Sequence, residues 1–191
     1  VSAHLFINFR VVDEHGRQHG MRRNLGALKA ELGAQARGAF QALAGLRAVE
    51  TLRTAGYDGA ITVIGDEPHQ PYDRPPLSKR LLAGDWEADR ILLRKPDDMD
   101  SLRVTWRLGS PATSLDLAER CVRLADGDAV RFDGAILATG ARARTLPGQA
   151  DHPHLVVLRT LDDSLALRAR IAGGGKRVVV VGAGFIGLEV A

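Results

Sequence analysis

The chain has 191 residues, 45% hydrophobic and 26% charged, the proportions of an ordinary globular protein. That length gives room for one full core, or for one domain and a piece of another. Lys plus Arg (26) nearly balance Asp plus Glu (23), leaving a net charge of +3. The pI of 9.4 therefore carries no nucleic-acid footprint. No apolar run reaches the 18 residues of a membrane span, and the N-terminus lacks the basic-then-apolar layout of a signal peptide. Cys121 stands alone, which excludes an internal disulfide or a cysteine-rich metal site. A cytoplasmic chain without metal, nucleic-acid partner or membrane partner is expected.

In chain order, "LFINFRVV" at 5–12 is a candidate strand. From Asn24 onward Leu25, Leu28, Leu32, Phe40, Leu43, Leu46, Val49 and Leu52 recur every three or four positions, an amphipathic helix pattern. Gly26, Gly33, Gly38 and Gly45 interrupt it, so the helix is expected over 43–54 and not continuously before that. "AITVIG" (60–65) and "GAILATG" (134–140) are short apolar runs ending in Gly, as buried parallel strands do. "CVRLADGDAVRF" (121–132) frames an Asp-Gly turn and reads as a hairpin. "LDDSLALRARIAGGG" (161–175) opens with acids and closes on glycines, the signature of a bounded helix. "KRVVVVGAG" (176–184) predicts another buried strand and turn. Alternating strands and helices from residue 45 onward define an α/β fold.

Two stretches carry chemistry. In "VVVVGAGFIGLEVA" (178–191), Gly182, Gly184 and Gly187 have the G-x-G-x-x-G spacing. Such glycines permit the tight turn, the approach of a pyrophosphate, and close helix–strand packing. The diphosphate would rest on free N–H groups at the helix start. In "ITVIGDEPHQPYDRPPLSKRLLAG" (61–84), Asp66 follows a strand 21 positions after Gly45. That is near the spacing of an acid that takes a ribose hydroxyl pair, and a turn residue or helix cap is the plainer reading. "YDRPPLSK" is a prolyl loop with Pro75 and Pro76, in which Ser78 is a candidate cap for a short helix.

"ITVIGDEPHQPYDRPPLSKRLLAG", "ILATGARARTLP", "LRTLDD" and "VVVVGAGFIGLEVA", in that order, resemble the flavoprotein ferredoxin reductases. These are NADH-dependent reductase components of aromatic-ring dioxygenase and cytochrome P450 systems, within the pyridine nucleotide-disulfide oxidoreductase superfamily. The resemblance runs over 44–191 and implies a Rossmann-type FAD-binding domain, into which a second, NAD(P)H-binding Rossmann unit is inserted. It divides the chain into 1–43 without resemblance, 44–172 as the FAD-binding domain, and 173–191 as the beginning of the NAD(P)-binding domain. It implies hydride transfer from NADH to FAD and electron transfer to a ferredoxin-type iron–sulfur protein. Rubredoxin- or nitrite-reductase-type activity, or a non-catalytic nucleotide-binding remnant, are the alternatives.

By position, the resemblance implies that Asp66 takes the FAD ribose and that Ala44 and Gly45 end the FAD pyrophosphate turn. Arg74, Pro75 and Lys79 would line the flavin, and Ala112, Thr139, Gly140 and Arg159 would touch FAD from later loops. Lys79 and Glu189 match a catalytic Lys–Glu pair beside the flavin, while Gly182, Gly184 and Gly187 would hold the pyridine nucleotide. The family's disulfide reductases carry a cysteine pair where this chain has its prolyl loop, so no thiol chemistry is expected of Cys121.

There are departures. In register, the FAD glycine turn falls on Phe40, Ala42 and Gly45, so only the third glycine is present and the first βα unit is incomplete. A coding frameshift, a wrong start site, a recombined pseudogene and a genuine N-terminal extension all account for so sharp a break near residue 44. The NAD(P) unit is expected to stop short of completion, leaving Lys79 and Glu189 apart and the chain inactive.

Overall fold

A computed structural model of the chain describes residues 6–9, 41–141, 143, 152–182 and 184–191. The pattern at 24–40, including Phe40, and most of "ARARTLP" lie outside the described residues. The chain divides into two units, Val1–Tyr72 with Leu93–Ala141 and Asp73–Leu92 with Arg142–Ala191.

In the first unit, helix α1 (Gln41–Thr54) buries Leu46, Ala48, Val49 and Leu52, one stripe at helical spacing. It ends where Gly56 takes φ 83° and Tyr57 N–H turns back to Leu52 O at 2.9 Å, a left-handed glycine cap. The stripe meets Ile61 and Val63 of strand β2 (Ile61–Ile64), together with Met99 and Leu102. Ile64, of opposite parity on β2, packs instead with Ala112, Val122, Leu124 and Phe132. β2 is thus a strand buried on both faces, which explains its continuous apolar run.

The sheet containing β2 has four strands: β3 (Val104–Arg107), β2, β1 (Phe6–Phe9), and β7 (Gly134–Leu137). β2 and β3 are parallel. β1 lies between β2 and β7 and is antiparallel to both, with Phe6 opposite Ile64 and Leu137, and Phe9 opposite Ile61 and Gly134. The segment 5–12 therefore does supply a strand, but a reversed one. The expectation that 134–140 forms a buried parallel strand is corrected accordingly: β7 pairs with a reversed neighbour, and Leu137 is exposed. A three-stranded antiparallel sheet, β4 (Ala112–Asp116), β5 (Cys121–Leu124) and β6 (Ala129–Arg131), covers the face opposite α1. It includes the expected hairpin, closed by Leu124 N–H to Asp128 O at 2.8 Å over Gly127 at φ 93°. Cys121 is buried on β5.

The second unit is helical. The prolyl segment forms a 3₁₀ turn, Pro75–Ser78, followed by α2 (Arg80–Ala83). Gly84 closes α2 in the left-handed region at φ 88°. The next helix in the chain, α3 (Pro96–Asp100), belongs to the first unit. α4 (Leu161–Ile171) begins with a capping box, Thr160 accepting from Asp163 N–H while the Asp163 side chain accepts from Thr160 N–H. That satisfies two free donors of its first turn. α4 packs on α2 and the 3₁₀ turn, burying Leu77, Leu81, Leu161 and Leu167. α5 (Phe185–Val190) follows the terminal glycine turn.

The strand expected over 176–184 does not form among the described residues, and Val179 and Val181 are 86% and 75% exposed. Four valines have the composition of a buried strand, but a strand needs a hydrogen-bonded neighbour, and among the described residues none pairs with this run.

Candidate nucleotide-binding site

In the first unit the predicted residues gather by topology. β2, β3 and β7 all run toward the edge marked by Phe6, since Ile64 and Leu137 lie opposite it and Arg107 lies opposite Ile64. Asp66 follows β2 and Thr139 and Gly140 follow β7, so they emerge from one edge, the carboxyl ends of parallel strands where α/β sheets bind ligands. Gly140 takes φ 60°, a conformation that L side chains resist. The segment after β2 is pinned by Gly65 N–H to Arg107 O, Ser110 N–H to Gly65 O, and Gly109 N–H to Glu67 O. Tyr72 O–H donates to Glu67 at 2.5 Å. Ala112 is buried at the start of β4. Ala44 and Gly45 lie in the first turns of α1, and Gly45 is buried.

In the second unit Arg74 is 6% exposed and its Nη1 donates to Arg159 O at 2.6 Å. Arg159 N–H donates to Asp163 at 2.9 Å, so the backbone before α4 is held from both sides. Pro75 and Pro76 fix the turn that follows. Ser164, wholly buried, donates to Leu77 O at 2.7 Å and ties that turn to α4.

The terminal turn has the expected glycine geometry. Gly182 takes φ 117° and Gly184 caps α5 in extended backbone. A Cβ added at Gly187 would collide with Gly182 O and lie 3.2 Å from Gly182 C, whereas Cβ atoms at Gly182 and Gly184 would meet nothing within 4 Å. The third glycine is therefore needed for packing, and the first two face open space.

Lys79 and Glu189, expected to remain apart, are together: Lys79 Nζ stands 2.8 Å from Glu189 Oε1. The other oxygen, Oε2, accepts from Ser78 Oγ at 2.5 Å. The Lys79 ammonium first, and the Ser78 hydroxyl second, hold the Glu189 carboxyl below its usual range, against a smaller opposing effect of burial. α5 packs on the 3₁₀ turn, and this is what brings residues 110 positions apart into contact. Ser78 is also not the cap it was expected to be. It closes the 3₁₀ turn, Lys79 stands at the N-cap of α2, and no side chain caps that helix.

The sheet and the terminal glycine turn define an α/β protein of Rossmann-like fold. The chain belongs to the pyridine nucleotide-disulphide oxidoreductase family, whose profile matches residues 42–191. It is 44% identical over 149 residues to rhodocoxin reductase of Rhodococcus erythropolis, covering 78% of this chain and 35% of that protein. It is 41% identical to the anthranilate 1,2-dioxygenase system ferredoxin–NAD(+) reductase component of Burkholderia cepacia, covering 76% of this chain and 36% of that one. The ferredoxin reductase for the CYP199A2 system from Rhodopseudomonas palustris superposes with a TM-score of 0.71 at 40% identity, over 80% of this chain and 37% of that structure. The chain thus spans about a third of the length of the curated relatives it matches.

Proposed function

We propose that this chain carries nucleotide-handling parts of an NAD(P)H-dependent flavoprotein reductase serving a ferredoxin-type iron–sulfur protein in the cytoplasm. The observation that carries this reading is the Lys79–Glu189 pair at 2.8 Å. It joins the prolyl turn to the helix that opens on Gly182, Gly184 and Gly187. On this reading 44–172 is flavin domain and 173–191 begins the NAD(P) domain. When bound, the nicotinamide supplies a hydride and the flavin splits the electron pair into single electrons.

The residues fit the two groups unequally. At the terminal turn the open space at Gly182 and Gly184 and the close approach at Gly187 suit a diphosphate against backbone N–H groups, so Gly182, Gly184 and Gly187 are assigned to the pyridine nucleotide. On the flavin side, Asp66, Thr139 and Gly140 at the strand ends, with Ala44, Gly45 and Ala112, are assigned to FAD in the first unit. Arg74, Pro75, Lys79 and Arg159 are assigned to it in the second. With FAD bound, Lys79 would present a cation able to stabilise negative charge on the ring, and Glu189 would orient that cation. The FAD diphosphate, however, lacks its turn. Of Phe40, Ala42 and Gly45 only the last is a glycine, and β1 ends at Phe9 opposite the start of β2, away from the edge at which Asp66 lies.

That reversed strand favours a second reading, a nucleotide-binding module without turnover. Purified chain is expected colourless, or to lose flavin on gel filtration. NADH-dependent ferricyanide reduction with excess FAD separates the readings. Turnover abolished by Lys79→Ala supports the reductase, and saturable NADH binding without turnover supports the module. Absence of saturable binding of either nucleotide would overturn both.

A further inference from the structure

We infer that Ser78 is a positioning residue that holds Glu189 in place as a carboxylate independently of Lys79, leaving Lys79 as the movable member of the pair. Its functional meaning rests on the reductase reading above, because a lysine that leaves Glu189 must have a group to serve.

The geometry distinguishes the two partners of Glu189. Ser78 is 6% exposed and sits in a turn fixed by two prolines. Ser164 holds the preceding carbonyl, Leu77 O, from α4 at 2.7 Å. The Ser78 hydroxyl reaches Glu189 Oε2 on a short side chain with one rotatable bond. Lys79, by contrast, has a side chain 48% exposed and reaches Oε1 on a flexible four-carbon stem. An exposed ion pair of this kind gains little and loses rotamer freedom, whereas a hydroxyl donating to a carboxylate is a charge-assisted bond. Each oxygen of Glu189 therefore has its own donor, one rigid and one mobile. Of the other charged residues of the prolyl segment, Asp73 and Arg74, the Arg74 guanidinium is engaged at Arg159 O, and α5 carries no charged side chain besides Glu189.

The test needs no cofactor. The Glu189 carboxyl is labelled with ¹³C, assigned by its loss in Glu189→Gln, and titrated in the full chain. The ionised form is favoured by each donor, so Lys79→Ala should leave Glu189 still titrating below its ordinary range. Ser78→Ala should raise its pKa by a further, separate step, and the double variant should bring it to the ordinary carboxylate value. Ser164→Ala removes the buried α4 hydroxyl that holds the same turn at Leu77 O without touching Glu189, and should move the titration much less than Ser78→Ala does. If Lys79→Ala alone restores the ordinary value, Ser78 anchors nothing. If Ser164→Ala moves Glu189 as far as Ser78→Ala does, the effect is a loosened turn. Either result overturns the inference. Failure of the chain to bind FAD or NADH would sink the reductase reading and leave this titration intact, so the two are separable.

Discussion

In the terminal turn, Gly184 and Gly187 should respond in opposite ways to the same added methyl group. Gly187→Ala would place that methyl against Gly182 O, with Gly182 C and Val180 Cγ1 each at 3.2 Å. The colliding atom is backbone, so no rotamer change relieves it, and α5 must lift from the turn. Overpacking of this kind costs about 1–3 kcal/mol, a roughly 5- to 150-fold increase in the open population. α5 has only six residues, too few to persist unsupported, so it should melt locally. Hydrogen exchange reads this directly. The amides of Leu188 and Ala191, bonded to Gly184 O and Gly187 O at 3.0 and 3.2 Å, should lose protection by that factor. Glu189, released from Lys79 and Ser78, should titrate higher. Gly184→Ala should do neither, because its methyl meets nothing within 4 Å and its backbone is extended. It should instead weaken NADH binding, since the methyl occupies the diphosphate's path. Preserved protection in Gly187→Ala, or lost protection in Gly184→Ala, would refute this division of labour.

Arg53 donates to four carbonyls, those of Leu102, Tyr57, Gly59 and Arg103, at 2.7–2.8 Å, clamping α1 to a turn where Arg103 takes φ 51°. Arg53→Ala should cost about 3 kcal/mol, near 1 for each of three partly buried bonds, read as a lowered urea midpoint. The Tyr57 phenol is pushed up to about 12, chiefly by burial. Its folded pKa thus exceeds its unfolded value of about 10, so its contribution to stability is intact below pH 10 and is lost as pH rises toward 12. Absorbance titration of Tyr72→Phe, which leaves Tyr57 as the sole tyrosine, should show that late ionisation. Thr160→Ala removes half of the α4 capping box and should lower stability by about 1 kcal/mol, measured by thermal unfolding.

Several elements were legible because their periodicities are local. The α1 stripe, the β5–β6 hairpin and the bounded helix α4 all announce themselves by spacing and turn residues. Strand direction was not. The residues of 6–9 specify a pleated, hydrogen-bonding segment, and nothing in period-two patterning says which way it runs. The valines at 178–181 failed in the opposite sense, since their composition specifies a strand only where a neighbour supplies the ladder. In the site, the glycine spacing foretold the turn. Ser78 was misread because Ser before a helix usually caps it. Ser164 was missed although a signal existed: it stands three residues from both Leu161 and Leu167, a polar residue on a buried stripe, and such a hydroxyl needs a partner.

The reversed β1 separates what a sheet requires from what a ligand requires. Hydrogen-bonded pairing is satisfied in either direction, and β1 pairs along all four residues with both neighbours. A diphosphate is not indifferent, because it needs the strand to end at the carboxyl edge and turn at once into a helix whose first N–H groups are free. At the second unit's turn, Gly182 to Gly187 lead straight into α5, although no strand forms over 177–181 before them. At the first unit, α1 survives with its buried stripe and Gly45, but the strand beside it delivers its end to the wrong edge. The helix–sheet core is therefore intact where, on the reading proposed above, the FAD diphosphate lacks its glycine turn. Removing residues 1–12 should accordingly lower the unfolding midpoint of the chain, because β2 and β7 lose their shared neighbour, while leaving whatever flavin affinity the chain has unchanged. A loss of flavin binding that tracks the loss of stability would show that β1 serves the ligand after all.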